Sequence, residues 1–248
     1  MSETEPLAML VRKWERRARL DEGDKAAIMA LPFVRRTYEP SAYLVREGEP
    51  VRGHCSFVIS GFAFRQKLTM QGARQILAIH MPGDVLDLQH LFLRQADHNV
   101  QALTQLKSAE LDGASLKSLV RERPNVAEAM WVDGLVDASI FREWILNVGR
   151  RDARARIGHL LCEFAARADA LGLGNGGRFH LPMTQEQIGD ATGLTAVHVN
   201  RTLKALAAEG LITRDKGYLR FTNEGNIRAA SDFSALYLHL DQTDAAVI

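Results

Sequence analysis

The spacing of apolar and polar residues changes its character along this chain of 248 residues. Residues 7–19 and 21–31 place apolar side chains at the three- and four-residue intervals of amphipathic helices, and Pro32 ends the second stretch. Residues 33–111 show short β-rich runs between turn signals, and the residues after Pro124 return to helical spacing. The pattern predicts an α+β protein in which a β-sandwich or barrel lies between helical segments.

The β-rich region is predicted to consist of short strands joined at tight turns. The turn signals include Glu47-Gly48-Glu49-Pro50, Gly61 and Pro82-Gly83-Asp84. The predicted strands are Phe33–Tyr38, Tyr43–Val45, Cys55–Ser60, Phe62–Thr69, Arg74–Met81, Asn99–Thr104 and Ser108–Leu111. Short helices are predicted over Val85–Phe92 and Leu116–Val120.

The longest helical pattern runs from Asn125 to about Val148 and carries more than one apolar stripe. One stripe contains Trp131, Leu135, Ala138 and Ile145. A helix with two apolar stripes needs two partners, of which the β-rich region supplies one. A second copy of the chain related by a two-fold axis supplies the other, and burial within a single subunit is the alternative.

Residues 182–221 carry consecutive signals of a helix-turn-helix. Thr184 has the position of an N-cap before a short helix, and Gly193 stands where the chain must leave that helix. A second helix is predicted over Ala196–Glu209, and two β-rich runs then flank the turn Asp215-Lys216-Gly217. This order predicts a winged helix-turn-helix, whose second helix enters the major groove of DNA.

Composition and charge narrow the function classes. The net charge of +1 means that affinity for DNA must come from local clustering of cations. The chain's two cysteines, Cys55 and Cys162, share no metal-binding spacing, which favours free thiols in a reducing compartment. No apolar run approaches the ~20 residues that span a bilayer, and the N-terminus lacks the apolar core of a signal peptide. We therefore expect a cytoplasmic protein.

Membrane binding and enzymatic activity are the alternatives to DNA binding. The basic helix at residues 7–19 has an apolar stripe that suits either docking on the fold or a membrane surface, and docking is predicted because the stripe is narrow. A hydrolase fused to a DNA-binding domain is the competing enzymatic class. The sequence contains no nucleophile elbow, HExxH or P-loop motif, so no enzymatic activity is expected.

The order of segments resembles the CRP/FNR superfamily of bacterial transcription regulators. The motifs that carry the resemblance are Arg46–Glu49 (REGE), Ser60-Gly61, Pro82–Asp84 (PGD), Asn147–Ile157 and Leu181–Leu203. The resemblance implies a cyclic-nucleotide-binding-like β-roll within residues 1–124, a dimerisation helix at 125–148 and a winged helix-turn-helix at 149–240. It further implies a homodimer that binds a palindromic site in double-stranded DNA and acts on RNA polymerase.

The sensory input stays open, because the chain is more similar to the FNR/FixK members than to the cyclic-AMP-binding members. The phosphate-binding arginine of the latter is missing, so cyclic-nucleotide sensing is an alternative only. An effector pocket would involve the residues Gly83, Asp84, Val85, His90, His98, Asn99, Phe141 and Arg142. The iron–sulfur sensor of FNR needs four cysteines and is excluded in that form. Haem bound through His90 and constitutive activity are further alternatives, so the cofactor is unknown.

The resemblance assigns base reading to the start of the Ala196–Glu209 helix. Arg201 matches the family's arginine that bridges guanine O6 and N7, and Asn200 is suited to adenine. Val197 stands where most members have glutamate and can only pack on a thymine methyl, while Ala196 replaces an arginine. The predicted phosphate contacts are Thr184, Gln185, Thr195, His198, Thr202, Lys204 and Lys216. The target promoters, the half-site sequence and the choice between activation and repression stay open.

Overall fold

The computed structural model describes residues 5–174, 177–215 and 217–240, which divide into two compact units. The first unit extends up to Gln66 and resumes over Ile79–Ala138, and the second contains Lys67–Ala78 and Ser139–Leu240. The fold class is the predicted one, with a β-rich N-terminal region, a long helix and a C-terminal helix-turn-helix. The domain boundaries at residues 124 and 148 stay predictions.

The helices and strands follow the predicted order with small shifts at their ends. The helices are α1 (Glu5–Glu15), α2 (Glu22–Met29), α3 (Gly113–Glu122), α4 (Pro124–Arg150), α5 (Ala153–Ala170), α6 (Gln185–Thr192), α7 (Ala196–Ala208) and α8 (Glu224–Ala230). The strands are β1 (Phe33–Tyr38), β2 (Tyr43–Val45), β3 (His54–Ser60), β4 (Ala63–Leu68), β5 (Arg74–His80), β6 (Asn99–Ala102), β7 (Leu106–Asp112), β8 (Arg178–His180), β9 (Ile212–Asp215) and β10 (Tyr218–Phe221).

Antiparallel sheets form the β-roll and the wing. In the roll, one sheet has the order β1-β7-β3 and the other β2-β6-β4-β5. Strand β7 pairs with both neighbours, so that Leu111 lies opposite Phe33 on one side and Cys55 on the other. A separate sheet of order β8-β10-β9 flanks the helix-turn-helix, with β8 before α6 and with β9 and β10 after α7. Strands β1 to β7, β9 and β10 overlap the β-rich runs that the sequence predicts as strands.

Helix α1 docks on the roll. Its apolar stripe, including Leu10 and Trp14, is buried in a core that also contains Phe57 of β3 and Val126 of α4. The predicted docking of this helix is confirmed within the first unit. None of the helices in the described part of the chain is long and apolar enough to cross a membrane.

The predicted helix over Val85–Phe92 is wrong except for a short 3₁₀ turn at Leu88–Leu91. Val85 instead forms a bridge with Phe57, and the Leu86 amide donates to the Ser56 carbonyl. Pairing with β3 therefore holds this segment extended. Sequence periodicity did not indicate it, because the partner strand lies about 30 residues earlier in the chain.

The sequence from Asn223 to about Leu240 predicts a terminal helix, and the structure shows that this helix is interrupted. Helix α8 ends at Ala230, Asp232 has a φ of 49°, and a 3₁₀ turn follows at Ala235–Leu238. The Phe233 amide donates to the Arg228 carbonyl, which closes the end of α8. The short strand β8 was not predicted, and it pairs with β10.

Candidate DNA-binding interface

Helix α6 and the turn after it are fixed by local chemistry. The Thr184 hydroxyl accepts from the Gln187 amide while the Gln187 side chain accepts from the Thr184 amide, which makes a capping box. Gly193 ends the helix with φ 68°, a left-handed conformation that suits glycine. A Cβ on Gly189 would lie 2.4 Å from the Leu194 carbonyl oxygen, so only glycine permits the close approach of the turn.

One side of helix α7 is buried and the opposite side is exposed to solvent. Thr195 caps its N-terminus by accepting from the His198 amide. Val199, Leu203 and Leu206 are buried, at the three- and four-residue intervals of one helix face. The opposite side is exposed, which makes α7 a surface helix of the second unit that presents its polar residues to solvent.

The predicted base-reading residues lie together on the exposed side of α7. Val197 is 81% exposed, Ala196 and Arg201 are exposed, and Asn200 is half-buried. Within the part of the chain that the structure describes, neither the Arg201 guanidinium nor the Asn200 amide has a side-chain partner. Their donors are therefore available to a ligand. An exposed valine of this size is unusual on a helix with a polar outer side, and it suits contact with an apolar group such as a thymine methyl.

The residues predicted to contact phosphate differ in their exposure to solvent. Thr184, Thr195 and Lys204 are exposed, and Gln185 and His198 are half-buried near the N-termini of α6 and α7. Thr202 is only 7% exposed and lies on the inner side of α7, so it offers little surface to DNA. Lys216, at the tip of the wing, lies outside the described residues.

The electrostatic setting of α7 favours an anionic partner. Arg201 and Lys204 are exposed on the helix, and its first turn contains no acidic residue. Glu209 at the C-terminal end is paired with Arg154 of α5, whose guanidinium holds the pKa of the Glu209 carboxyl below its usual value. The carboxylate is thus neutralised within the protein, and the cations of α7 remain for a ligand.

The predicted effector residues of the first unit are occupied by protein contacts. Asp84 accepts from Lys13 and from the Met81 amide, and Asn99 accepts from the Glu47 amide. Val85 is buried beside Gly83 in the turn that pairs with β3. The protein's own contacts thus use these groups to build the roll, which leaves the Asp84 and Asn99 side chains engaged within the protein.

His90 and His98 are buried and their rings stack with centroids 6.4 Å apart. The His98 imidazole contacts Asp97 at 2.6 Å and Gln89 at 3.2 Å, and burial, with Arg65 nearby, lowers its pKa. His90 Nδ1 lies 3.6 Å from Asp87. Among the described residues, no group of three or more His, Cys, Asp or Glu side chains has the arrangement of a metal site.

Phe141 and Arg142 lie on α4, within the second unit, where Phe141 is half-buried and Arg142 is exposed. Cys55 and Cys162 are free and buried. Burial raises the pKa of both thiols, that of Cys162 to about 12, so neither is a reactive thiolate.

A buried carboxylate beneath the interface was missed by the sequence analysis. Glu163 of α5 accepts from the Trp144 indole at 2.9 Å and from the Tyr237 hydroxyl at 2.7 Å, and it pairs with Arg167. Burial raises the pKa of this carboxyl despite those partners. The network ties the end of α4 and the C-terminal 3₁₀ turn to α5. The sequence feature that could have indicated this carboxylate is a charged residue inside the apolar run LLCEFAA.

Family models match both parts of the chain. A model described as the Crp-like helix-turn-helix domain matches residues 155–229, and one described as the cyclic nucleotide-binding domain matches residues 35–123. The first covers α6, α7 and the wing, and the second covers the β-roll. The predicted fold class is confirmed.

Curated relatives and solved structures agree with these models. The chain is 28% identical to "Transcriptional activator protein FnrL" of Cereibacter sphaeroides, over 79% of this chain and 78% of that protein. It is also 28% identical to "Nitrogen fixation regulation protein FixK" of Azorhizobium caulinodans, over 63% of this chain and 62% of that protein. The structure of FixK2 from Bradyrhizobium japonicum superposes with a TM-score of 0.75 at 25% identity, covering 83% of this chain and all of that one.

The β-roll and the helix-turn-helix thus correspond to the two matched domain families. The chain belongs to the CRP/FNR superfamily of DNA-binding transcription regulators.

Proposed function

We propose that this protein regulates transcription as a homodimer in which each copy of α7 reads one half of a palindromic DNA site. The observation that carries the proposal is the exposed Arg201 on the outer side of α7, with Val199, Leu203 and Leu206 buried beneath it. The buried residues fix the helix, and the guanidinium is left with donors that match guanine O6 and N7.

The dimer is supported by the apolar stripe on α4. Trp131, Leu135 and Ile145 are 72%, 53% and 73% exposed, and they lie four and ten residues apart along one side of the helix. With Ala138 and Arg142 between them, the spacing alternates between four and three residues, as in a two-stranded coiled coil. Exposed aromatic and aliphatic residues at this spacing favour a second copy of the same helix as partner.

Specific reading combines base contacts with phosphate contacts. In this proposal Asn200 reads adenine, and Val197 packs on a thymine methyl at the step where an acceptor side chain would select another base. The N-termini of α6 and α7, with Thr184 and Thr195, supply amide donors for phosphates. We leave Thr202 out of these contacts because it is buried. Two copies of α7 related by a two-fold axis would sit about 34 Å apart, one turn of DNA.

The test is a comparison of Arg201→Ala with the unaltered protein on a duplex selected from random sequences and on a scrambled duplex. Loss of the guanine contact is expected to weaken binding to the selected duplex by about 1–3 kcal/mol and to leave scrambled DNA nearly unaffected. Arg201→Lys keeps the charge and removes the fork, so it should bind scrambled DNA like the unaltered protein and recover only part of the lost affinity for the selected duplex.

An equal weakening on both duplexes would show that Arg201 contacts only phosphate, and the base-reading role would fail. Lys204→Ala is the matched control on the same helix. It is expected to weaken both duplexes alike and to reduce the salt dependence of binding by about one counterion.

The partners beyond DNA follow from the relatives' printed names. FnrL is named a transcriptional activator, and activation at a promoter requires contact with RNA polymerase. We accordingly propose RNA polymerase as a partner and the cytoplasm as the location. Transcription in vitro from the selected site, with and without the protein, separates activation from repression.

Absorption spectroscopy tests the haem alternative directly. His90 is the residue that would ligate the iron, and its Nε2 has no hydrogen-bond partner among the described residues. An absorption spectrum of protein purified from its host answers the question, because a Soret band would establish haem and direct attention to His90→Ala.

A further inference from the structure

Helix α1 and the turn after it contribute two cations, Lys13 and Arg17, to one buried carboxylate of α4. Lys13 Nζ lies 3.2 Å from Asp133 Oδ2, and Arg17 Nε lies 3.1 Å from Asp133 Oδ1. Lys13 Nζ also lies 3.2 Å from Asp84 Oδ1, in the turn after β5. These four side chains are between 10% and 23% exposed, so solvent screens the contacts only weakly.

The charges of this cluster are retained. Burial disfavours the Lys13 ammonium, but Asp133 and Asp84 outweigh the burial and hold the pKa of Lys13 above its usual value. The second oxygen of Asp84 accepts from the Met81 amide at 2.8 Å, which fixes the turn. Lys13 thus connects α1, the turn after β5 and α4 through directional contacts.

Asp133 lies on the inner side of α4. It follows Val126, Ala129 and Met130 at intervals of seven, four and three residues, and those three residues are buried in the core that contains α1. Trp131 and Leu135 are two residues away from Asp133 on either side, so they point away from it and are exposed. The contacts of Asp133 therefore lie on the buried side of α4, away from the exposed Trp131 and Leu135.

We infer that Lys13 and Arg17 are positioning residues that fix the rotation of α4 about its own axis and so select the face that a second copy of the chain meets. Apolar contacts between α1 and α4 tolerate small rotations, whereas an ion pair held from two directions does not. The inference rests on the proposed dimer through α4, and it assigns control of that dimer to the N-terminal helix.

The test uses disulfide cross-linking of Leu135→Cys, because this side chain is expected to meet its two-fold mate. The native thiols Cys55 and Cys162 are buried and unreactive, so they do not compete. Lys13→Met, introduced beside Leu135→Cys, should slow the 135–135 cross-link by about threefold or more and raise the dissociation constant for the selected palindrome about tenfold. Val132→Cys, one helix step from the expected face, should then cross-link faster.

Two variants provide matched controls. Lys13→Arg keeps the cation and should restore both readouts. Lys25→Met removes a lysine on α2 that pairs only with the exposed side chains of Glu15 and Glu22 among the described contacts, and it should leave both readouts unchanged. A Lys13→Met protein that cross-links and binds DNA like the unaltered chain would overturn the inference.

A folding defect is separated from a positioning defect by the triple variant Lys13→Met, Asp84→Asn, Asp133→Asn. It leaves no carboxylate of the contact with Lys13 buried without its cation, and the amide oxygen introduced at residue 133 can still accept from Arg17. We expect it to fold and still to cross-link slowly at residue 135. A triple variant with the original cross-linking rate would overturn the inference, and failure of Leu135→Cys to cross-link in the otherwise unaltered chain would count against the α4 dimer itself.

Discussion

The β-roll and helix α7 use their polar side chains in opposite ways. In the roll, several polar residues point inward and are engaged, as when the buried Asp87 carboxylate accepts from the Ser56 amide at 2.7 Å. On α7, Arg201 and Asn200 face outward and have no partner in the part of the chain that the structure describes. A region with satisfied polar groups supplies rigidity, and one with unsatisfied, fixed donors supplies recognition.

The largest expected effect comes from changing an inward-facing polar residue of the roll. Asp87→Ala leaves the Ser56 amide buried without an acceptor, and removes the carboxylate beside His90. We expect the free energy of unfolding of the roll to fall by about 3 kcal/mol. Urea unfolding followed by circular dichroism measures this loss, and the DNA affinity of the molecules that remain folded should not change.

If Asp87→Ala altered the sequence preference for DNA, the claim that the roll supplies rigidity while α7 supplies recognition would be contradicted. Lys107→Ala is a matched control, because this exposed residue of β7 has no ion pair among the described contacts and should change stability by less than about 0.5 kcal/mol.

Gly189→Ala tests the support beneath the recognition helix. The new methyl group would lie 2.4 Å from the Leu194 carbonyl oxygen, so the turn between α6 and α7 must shift. We expect a loss of about 1–3 kcal/mol in stability together with weaker DNA binding, because the position of α7 depends on this turn. Differential scanning calorimetry and gel shifts would measure both quantities.

Gly134→Ala is the comparison for that experiment. A Cβ at Gly134 meets no atom within 4 Å, and alanine is the better helix former. It should leave the free chain equally or slightly more stable, and a destabilisation as large as that of Gly189→Ala would contradict the role given to the α6–α7 turn.

Asn200→Ala tests the outward-facing side and should leave stability unchanged. Its amide has no side-chain partner among the described residues, so truncation removes no internal hydrogen bond. We expect the free energy of DNA binding to weaken by about 1 kcal/mol, and only for duplexes that contain the base that Asn200 reads. Titration of duplexes substituted at each position of the half-site identifies that step, and a uniform loss at every position would refute base reading by Asn200.

A smaller effect concerns the pH dependence of stability in the second unit. Burial, with Arg151 nearby, lowers the pKa of His159 from 6.5 to about 3. The unfolded chain therefore binds a proton as the pH falls below about 6.5 while the folded chain does not, so stability is lost toward acid. Between pH 7 and pH 6 the loss is about 0.7 kcal/mol. His159→Gln should reduce this slope in thermal unfolding, and an unchanged slope would mean that other groups cause it.

Local signals made the recognition elements predictable. The capping box at Thr184, the left-handed Gly193 and the cap at Thr195 each act within three or four residues, and the structure has α6 and α7 at the predicted places. The strands of the roll were predictable for the same reason, since turn residues and alternation are local properties.

The missed features depend on partners that are distant in the sequence. The segment at Val85 is extended because it pairs with Phe57, and the buried Glu163 is stabilised by Trp144 and Tyr237, which lie 19 and 74 residues away from it. The ion pairs of Lys13 with Asp84 and Asp133 belong to the same class. Sequence pattern identifies which residues are apolar or charged, but it does not identify which long-range pairs they form.

The central claim is that two copies of α7 read one palindrome, and binding to three duplexes tests it most directly. These are the selected palindrome, a single half-site in random flanking DNA, and the palindrome with five base pairs inserted at its centre. The insertion turns one half-site by about half a helical turn, away from the face that the dimer presents. We predict that both altered duplexes bind at least about 100-fold more weakly than the palindrome. Equal affinity for all three duplexes would contradict the two-fold reading of DNA.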